Sequence, residues 1–229
     1  MLGEEYPQIE RAIPGDHSRV SSAGEMLSGA LDGNALRVLD LGCGDGRAID
    51  ILKRMSPTAR YSGVDIESSP EVASRRRTDG DFYTYDGTTL PFEDASFDVV
   101  FSQQVFEHVR HPDRVVREIE RVLAPGGRFV GSVSYLEPYH SYSIFNFTPY
   151  GVFRVVEDNG LHLREMRPGV EGLSLIARQV TMRRIARFPV AYPMIDAAGR
   201  VKGWDARRRN YLKLRLAGHI CFDAEKPAG

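Results

Sequence analysis

The sequence predicts an α/β protein built on a doubly wound parallel sheet, and three observations carry that prediction. Between about residues 36 and 135, short apolar runs alternate with segments of helical periodicity, the pattern of strands and helices following one another. The first apolar run, VLDL, breaks into Gly42, Gly44 and Gly46 before helix formers resume, so a strand turns into a helix with its backbone laid bare. Acidic residues recur near the ends of successive runs, at Asp40, Asp65 and Asp86. In an open sheet of this kind ligands bind outside the carboxyl ends of the strands, which is where these residues fall.

The elements follow in order. Ser18 to Leu31 places Val20, Ala23, Leu27, Ala30 and Leu31 at helical spacing, so a helix ending near Gly33 precedes the first strand, LRVLDL. Ala48, Ile49, Ile51, Leu52 and Met55 mark the helix after the glycines, and Ser56-Pro57 stops it. ARYSGVDI, DFYTYD and SFDVVFSQ read as the next three strands. A short helical segment, Glu71 to Arg77, lies between the first two of these, and its three consecutive arginines read as a solvated face. PDRVVREIERVL carries apolar residues at 115, 116, 119, 122 and 123, an amphipathic helix ended by APGG before the strand RFVGSVSY. Beyond Tyr135 the pattern changes: a loop rich in Tyr and Phe to Asn146, a helix from Thr148 to Asn159, and a strand LHLREMRP. A basic amphipathic helix from Leu173 to Arg187, a Pro-interrupted stretch to Gly203 and a last strand in LRLAGHICFDAEK complete the reading.

The chain has 229 residues, 42% hydrophobic and 27% charged, which suits one domain over 1–229. Its N-terminus, MLGEEYPQIE, is acidic with no apolar stretch, and no run approaches membrane-spanning length, so a cytoplasmic protein is expected. Cys43 and Cys221 show neither pairing nor metal-ligand spacing, and no metal or disulfide is expected. Charge is uneven: residues 1–170 carry 18 basic and 26 acidic side chains, residues 171–229 carry 12 and 5. Such a split marks either a basic face that pairs with the acidic part or an anionic partner such as a phosphorylated substrate, an acyl carrier, a nucleic acid or a membrane surface.

The glycine loop narrows the ligand. A dinucleotide loop reads G-x-G-x-x-G with a helix N-terminus facing a pyrophosphate, whereas this one reads G-x-G-x-G with Asp45 inside it. An acid there repels a pyrophosphate and tolerates an ammonium or sulfonium, and Asp40 points the same way. Asp65, about twenty residues on, is placed to accept the two hydroxyls of a ribose. Asp86, followed by Gly87, can accept from an exocyclic amino group. Each of these acids has the alternative of capping a turn.

VLDLGCGDG, YSGVDI, YDGTTLPFEDASFDVVFSQQVFEHV and EIERVLAPGGRFVGSV, in this order, resemble the successive motifs of the class I S-adenosylmethionine-dependent methyltransferases, in the small-molecule branch that includes the ubiquinone and menaquinone enzymes. The resemblance covers about residues 35–135. It implies a Rossmann-like seven-stranded sheet, mostly parallel with an antiparallel last strand, and S-adenosylmethionine as cofactor. Asp40 with Gly42, Cys43, Gly44 and Gly46 would hold the methionine end, Asp65 and Ile66 the ribose and adenine, and Asp86 and Gly87 the adenine edge. Gln103 would line the methyl-transfer side, leaving residues 136–229 as the acceptor-side loop, basic helix and closing strands.

Methyl transfer from a sulfonium is an in-line displacement, so no fixed catalytic constellation is required, although an oxygen nucleophile gains from a base. His108 and His140 are the candidates; His108 stands where this branch often has His, which also suits a role in shaping the pocket. Tyr135, Tyr139, Tyr142, Phe145, Phe147 and Tyr150 form an aromatic cluster that either joins the core or walls an acceptor pocket. HSYSIFNFTPYG resembles a segment of surface-polysaccharide methyltransferases, with Asn146 where those commonly have arginine. SQQVFEH departs from the acid-or-Asn, Pro-Pro, aromatic motif of exocyclic-amine nucleic-acid methyltransferases, and neither cysteine is placed to attack a base, so nucleic acid is not the expected substrate. The expected protein is a methyltransferase acting on a small molecule (a secondary metabolite, sugar or lipid-linked acceptor) with O-methylation favoured. The rivals are a non-catalytic methyltransferase-like binding subunit and an NAD-dependent dehydrogenase. The basic helix is expected to pack on the sheet or on a second copy in a homodimer, with contact to a membrane or an anionic substrate as the alternative.

Overall fold

Strands covered on both faces need apolar side chains on both, and the chain supplies them: Val38, Leu39 and Leu41 in the first strand and Val99, Val100 and Phe101 in the fourth are all buried. In the computed structural model, which describes residues 2–31, 36–138, 141–182 and 189–229, such runs become β1 (Arg37–Leu41), β2 (Arg60–Ile66), β3 (Asp81–Tyr85) and β4 (Phe97–Gln103). β5 (Leu123–Ser134), β6 (His162–Pro168) and β7 (His219–Glu225) complete a seven-stranded sheet of order β3-β2-β1-β4-β5-β7-β6. β1 to β5 pair in parallel, and β7 lies antiparallel between β5 and β6, as the resemblance implied. The carboxyl ends of β1 to β6 therefore share one edge with the start of β7.

The helices cover both faces. α2 (Ala23–Ala30) begins later than the periodicity suggested, because Ser22 and Glu25 form a capping box that fixes its first turn. With α3 (Ala48–Met55) it packs Leu27 and Leu52 on the face that carries Val99, Phe101 and Val130. On the other face α5 (Pro112–Val122) buries Val115, Val116, Ile119 and Val122, and α6 (Pro149–Glu157), capped by Thr148, adds Val152 and Val156. α1 (Tyr6–Ile9) and α4 (Pro70–Ser74) are single turns, the second capped by Ser69. The chain enters β5 directly at Leu123, and the APGG segment is an irregular lead-in that shifts the pairing register with β4.

Three expectations about the C-terminal part need correction. α7 (Gly172–Val180) stops where Met182 takes a left-handed φ of 49°, and Arg183, Arg184, Ile185 and Arg187 lie outside the described residues. Its apolar stripe does not pack on the sheet: Leu173, Ile176 and Val180 are exposed, while Gly172, Ser174 and Leu175 form the buried side. The Pro-interrupted stretch is helix α8 (Ala191–Lys202), since Pro193 falls in the first turn where no backbone donor is needed. Leu214 is not in the closing strand; it ends α9 (Ala206–Leu214), whose N-cap Asp205 accepts from Arg208 N, and β7 begins only at His219.

An N-terminal arm ties these helices down. Tyr211 Oη accepts from Gly3 N and donates to Glu5, each at 2.7 Å, and Asn210 Nδ2 donates to the carbonyls of Pro14 and His17. Lys213, only 2% exposed, donates to Ser18 O at 2.5 Å and to Asp196 at 2.8 Å.

Candidate functional site

At the carboxyl end of β1 the chain reverses sharply through three glycines, all left-handed: Gly42 at φ 73°, Gly44 at 49° and Gly46 at 83°. A Cβ on Gly42 would overlap Val105, and one on Gly46 would stand 2.9 Å from Phe82 Cζ. Gly42 N and Cys43 N donate to Val64 O in β2 at 2.8 and 3.2 Å, Gly46 N to Cys43 O at 2.8 Å, and Gly44 N to Asp65 Oδ2 at 2.7 Å. Four loop N–H groups are thus engaged inside the protein, where a pyrophosphate site would turn them outward.

Asp65, at the end of β2, also accepts from Ile66 N at 2.7 Å. Burial raises its pKa against the pull of those two N–H bonds. Asp40 is buried in β1 beside Tyr61, whose hydroxyl donates to it at 2.7 Å. Burial, opposed by that bond, pushes the Asp40 carboxyl up to about 7, and the Cys43 thiol is pushed up to about 12, mainly by burial. Asp45, by contrast, sits on the open side paired with Arg47 at 3.0 Å. Asp86 is held below the carboxylate range by the Thr89 and Thr88 N–H groups and the Thr88 hydroxyl, all on one of its oxygens. It therefore closes a turn and keeps its second oxygen for other work. Ile66 is 40% exposed, and Gly87 at φ 85° comes within 4.0 Å of it, measured from a Cβ built on the glycine. Gln103 is exposed at the tip of β4.

Asp40, the glycine loop, Asp65, Ile66, Asp86, Gly87 and Gln103 are thus gathered on the tips of four adjacent strands, at the point where the strand order reverses between β1 and β4. Arg75, one of three arginines read as a solvated face, belongs to this group instead. Its guanidinium donates to Gly44 O at 2.8 Å and to Cys43 Sγ at 3.4 Å, and stacks 4.1 Å over the Phe82 ring. Phe82 and the bare Gly44 carbonyl hold it there, and neither is visible from the run RRR. Arg77 pairs with Asp50 and Asp79, and Arg76 remains at the surface.

Comparison with known proteins agrees with this geometry. Residues 39–131 match the family model described as a methyltransferase domain. A demethylmenaquinone methyltransferase of Thermotoga maritima is 40% identical over 101 residues, 44% of this chain and 44% of that protein. A fatty-acid O-methyltransferase of Mycolicibacterium smegmatis is 36% identical over 97 residues, 41% of this chain and 35% of that protein. Among solved structures, a chain from the complex between the Haloferax volcanii Trm112 methyltransferase activator and a methyltransferase superposes with a TM-score of 0.62 at 25% identity, over 90% of this chain and 89% of that one. Residues 39–131 are a class I S-adenosylmethionine-dependent methyltransferase core. The chain spans less than half the length of the curated relatives it matches.

The cofactor of this methyltransferase core is S-adenosylmethionine, and the loop suits it: its acids favour a cationic amino acid end, and its inward N–H groups do not favour a phosphate. On the acceptor side, His108 ends a short 3-10 turn, Phe106–His108, half-buried, while His140 lies outside the described residues, as does Tyr139. The aromatic cluster divides: Phe147 is buried and Tyr135 and Tyr150 pack against the core, whereas Tyr142 and Phe145 are exposed together with Ile144.

Sequence reasoning missed a polar cluster joining the tips of β4, β5 and β7. Ser134 Oγ meets Glu107 at 2.8 Å and Glu137 at 2.7 Å, and His219 Nε2 meets the same Glu137 oxygen at 2.9 Å. Gln104, left-handed at φ 56°, completes it, with its amide nitrogen donating to Ser134 Oγ at 2.9 Å and to Glu137 at 3.2 Å. Glu107 and Ser134 are fully buried, while Glu137 and His219 keep 18% and 23% of their side chains open. These residues lie far apart in sequence, and only the insertion of β7 beside β5 brings His219 to Glu137. Among the described residues, no group of three or more His, Cys, Asp and Glu side chains could hold a metal ion.

Proposed function

We propose that this protein transfers the methyl group of S-adenosylmethionine to an oxygen of a small-molecule acceptor with a substantial apolar part. The left-handed glycine loop with Asp65 anchored beneath it is the observation that carries the cofactor half of this reading. Asp40 and the 42–46 loop would hold the methionine end, Asp65 and Ile66 the ribose and adenine, and Asp86 and Gly87 the adenine edge. Residues 35–135 are read as the cofactor core and 136–229 as the acceptor side of a single domain. The apolar acceptor is supported by the open Tyr142, Ile144 and Phe145 and by the similarity to a demethylmenaquinone methyltransferase and a fatty-acid O-methyltransferase.

The cofactor supplies a methyl group already activated by its sulfonium. What is left to the chain is to hold the acceptor oxygen in line, which alone accounts for about 7–11 kcal/mol in well-oriented systems, and to take its proton. His108 and His140 are candidates for that base, and the Glu137–His219 pair joins them. Its imidazole is oriented by a carboxylate and stands at the strand tips next to the methyl-transfer side.

Calorimetric titration with S-adenosylhomocysteine beside NAD tests the first half: saturable binding of the former alone supports the reading, and NAD binding overturns it. Transfer of labelled methyl to hydroxylated fatty acids, quinols and glycolipids then selects the acceptor. On that acceptor His219→Asn should lower kcat about 100-fold or more, with S-adenosylhomocysteine affinity unchanged. A variant with wild-type turnover would return the role to His108 or His140.

A further inference from the structure

The methyltransferase reading leaves α7 and its surroundings unexplained. An amphipathic helix normally buries its apolar stripe, yet Leu173, Ile176 and Val180 of α7 are 48%, 42% and 77% exposed, and Met182 just beyond is 81% exposed. α7 follows the carboxyl end of β6, so the stripe stands on the ligand-binding edge. Gly172 at its start is packed on Leu136 of the loop after β5, the loop that leaves Tyr142, Ile144 and Phe145 open. On the other side Gly172 N donates to Leu216 O at 2.9 Å, and Leu216 lines an apolar groove of about 370 Å³ with Met194, Ile195, Trp204 and Leu212. The exposed apolar side chains therefore concentrate around one rim of the molecule.

Among the described residues, the charge left unpaired around this rim is positive. The sequence from Gly172 to Ile195 contains four arginines and no Asp or Glu, and residues 141–147 contain no charge at all. Elsewhere in the C-terminal part basic side chains find carboxylates: Arg167 pairs with Asp16 and Glu165, Lys213 with Asp196, and Arg164 with Glu225. Arg178 of α7 and Arg200 and Lys202 of α8 make no ion pair among the described residues. Open apolar residues set among unpaired cations on a helix make the pattern that lies in the surface of an anionic bilayer. A second copy of the chain fits less well, because a two-fold interface would set the unpaired Arg178, Arg200 and Lys202 against their own copies.

We infer that the α7 rim docks on an anionic lipid bilayer, with Leu173, Ile176, Val180 and Met182 entering the headgroup boundary and Arg178, Arg200 and Lys202 meeting lipid phosphates. Docking in this way sets the loop after β5 against the membrane, with the glycine loop on the same edge of the sheet but four places along the strand order from β6.

Sedimentation of the full chain with vesicles tests this. It should bind vesicles of equal parts phosphatidylglycerol and phosphatidylcholine, bind phosphatidylcholine alone far more weakly, and lose binding as salt rises. Ile176→Asp combined with Val180→Asp should weaken binding about tenfold or more. Both positions are open to solvent, so melting temperature and S-adenosylhomocysteine affinity should stay unchanged, which separates this inference from the methyltransferase reading. Equal binding by the variant, or no binding of the parent chain to anionic vesicles, overturns the inference. Analytical ultracentrifugation showing a dimer that the same substitutions dissolve would overturn it in favour of self-association.

Discussion

Asp40 is the residue whose environment has the plainest consequence. Its carboxyl is fully desolvated beside Tyr61, and its pKa rises from 3.8 to about 7. An acid whose pKa is higher folded than unfolded keeps a proton that the unfolded chain has released, so stability falls as pH rises between those values, by at most about 1.4 kcal/mol per pH unit. Asp40→Asn should remove this slope, and the difference in urea midpoint between the two proteins should grow from about pH 4 to 7. Saturating S-adenosylhomocysteine should flatten the parent's profile if its ammonium lies beside Asp40. Asp40, Asp65 and the glycines were legible in the sequence because each occupies a strand tip, and a strand tip can be located from a period of two and a turn. Arg75 and His219 were not, because their roles depend on Phe82, Gly44 and Glu137, which only tertiary pairing brings near.

Among elements, the glycine loop is set by close approach as much as by φ. Gly46→Ala would place a methyl 2.9 Å from Phe82 Cζ on a backbone at φ 83°. The clash and the left-handed conformation should together cost about 2–4 kcal/mol, seen as a lower melting temperature and weaker S-adenosylhomocysteine binding. Adding Phe82→Leu should recover the part due to the clash and leave the backbone part. Elements with their own local signals were read correctly: α5 from its stripe, α6 from Thr148 and Pro149, β1 and β4 from apolar runs. α8 was missed because Pro193 looked like an interruption, and the end of α9 because the strand read as LRLAGHICFDAEK was started at Leu214. The signal for α9 was present in Asp205, an N-cap before a run of helix formers. α7 was recognised as a helix, but its apolar face was assigned to the sheet or to a second copy because periodicity reports that a stripe exists and not what covers it.

Across the whole molecule, charge holds the N-terminal arm to the C-terminal helices. Lys213 is buried with Asp196 as its carboxylate partner, so Asp196→Ala leaves a cation stranded and should destabilise the protein by about 3 kcal/mol in urea unfolding. Asp196→Leu with Lys213→Met should restore most of that loss. Of the charge split between the two parts of the sequence, part of the basic segment pairs with acids, as Lys213 does with Asp196, while Arg178, Arg200 and Lys202 make no ion pair among the described residues.

The position of β7 also bears on how the protein is made. β6 has β7 as its strand neighbour, and β7 is synthesised after it, with α7, α8 and α9 in between. A chain still on the ribosome therefore presents β5 with a bare edge and β6 with nothing to pair to until His219–Glu225 have emerged. Closure of the sheet is a late event, and an interrupted translation product would display the open edge of β5 and an unpaired β6, the kind of surface that chaperones hold and that aggregates recruit.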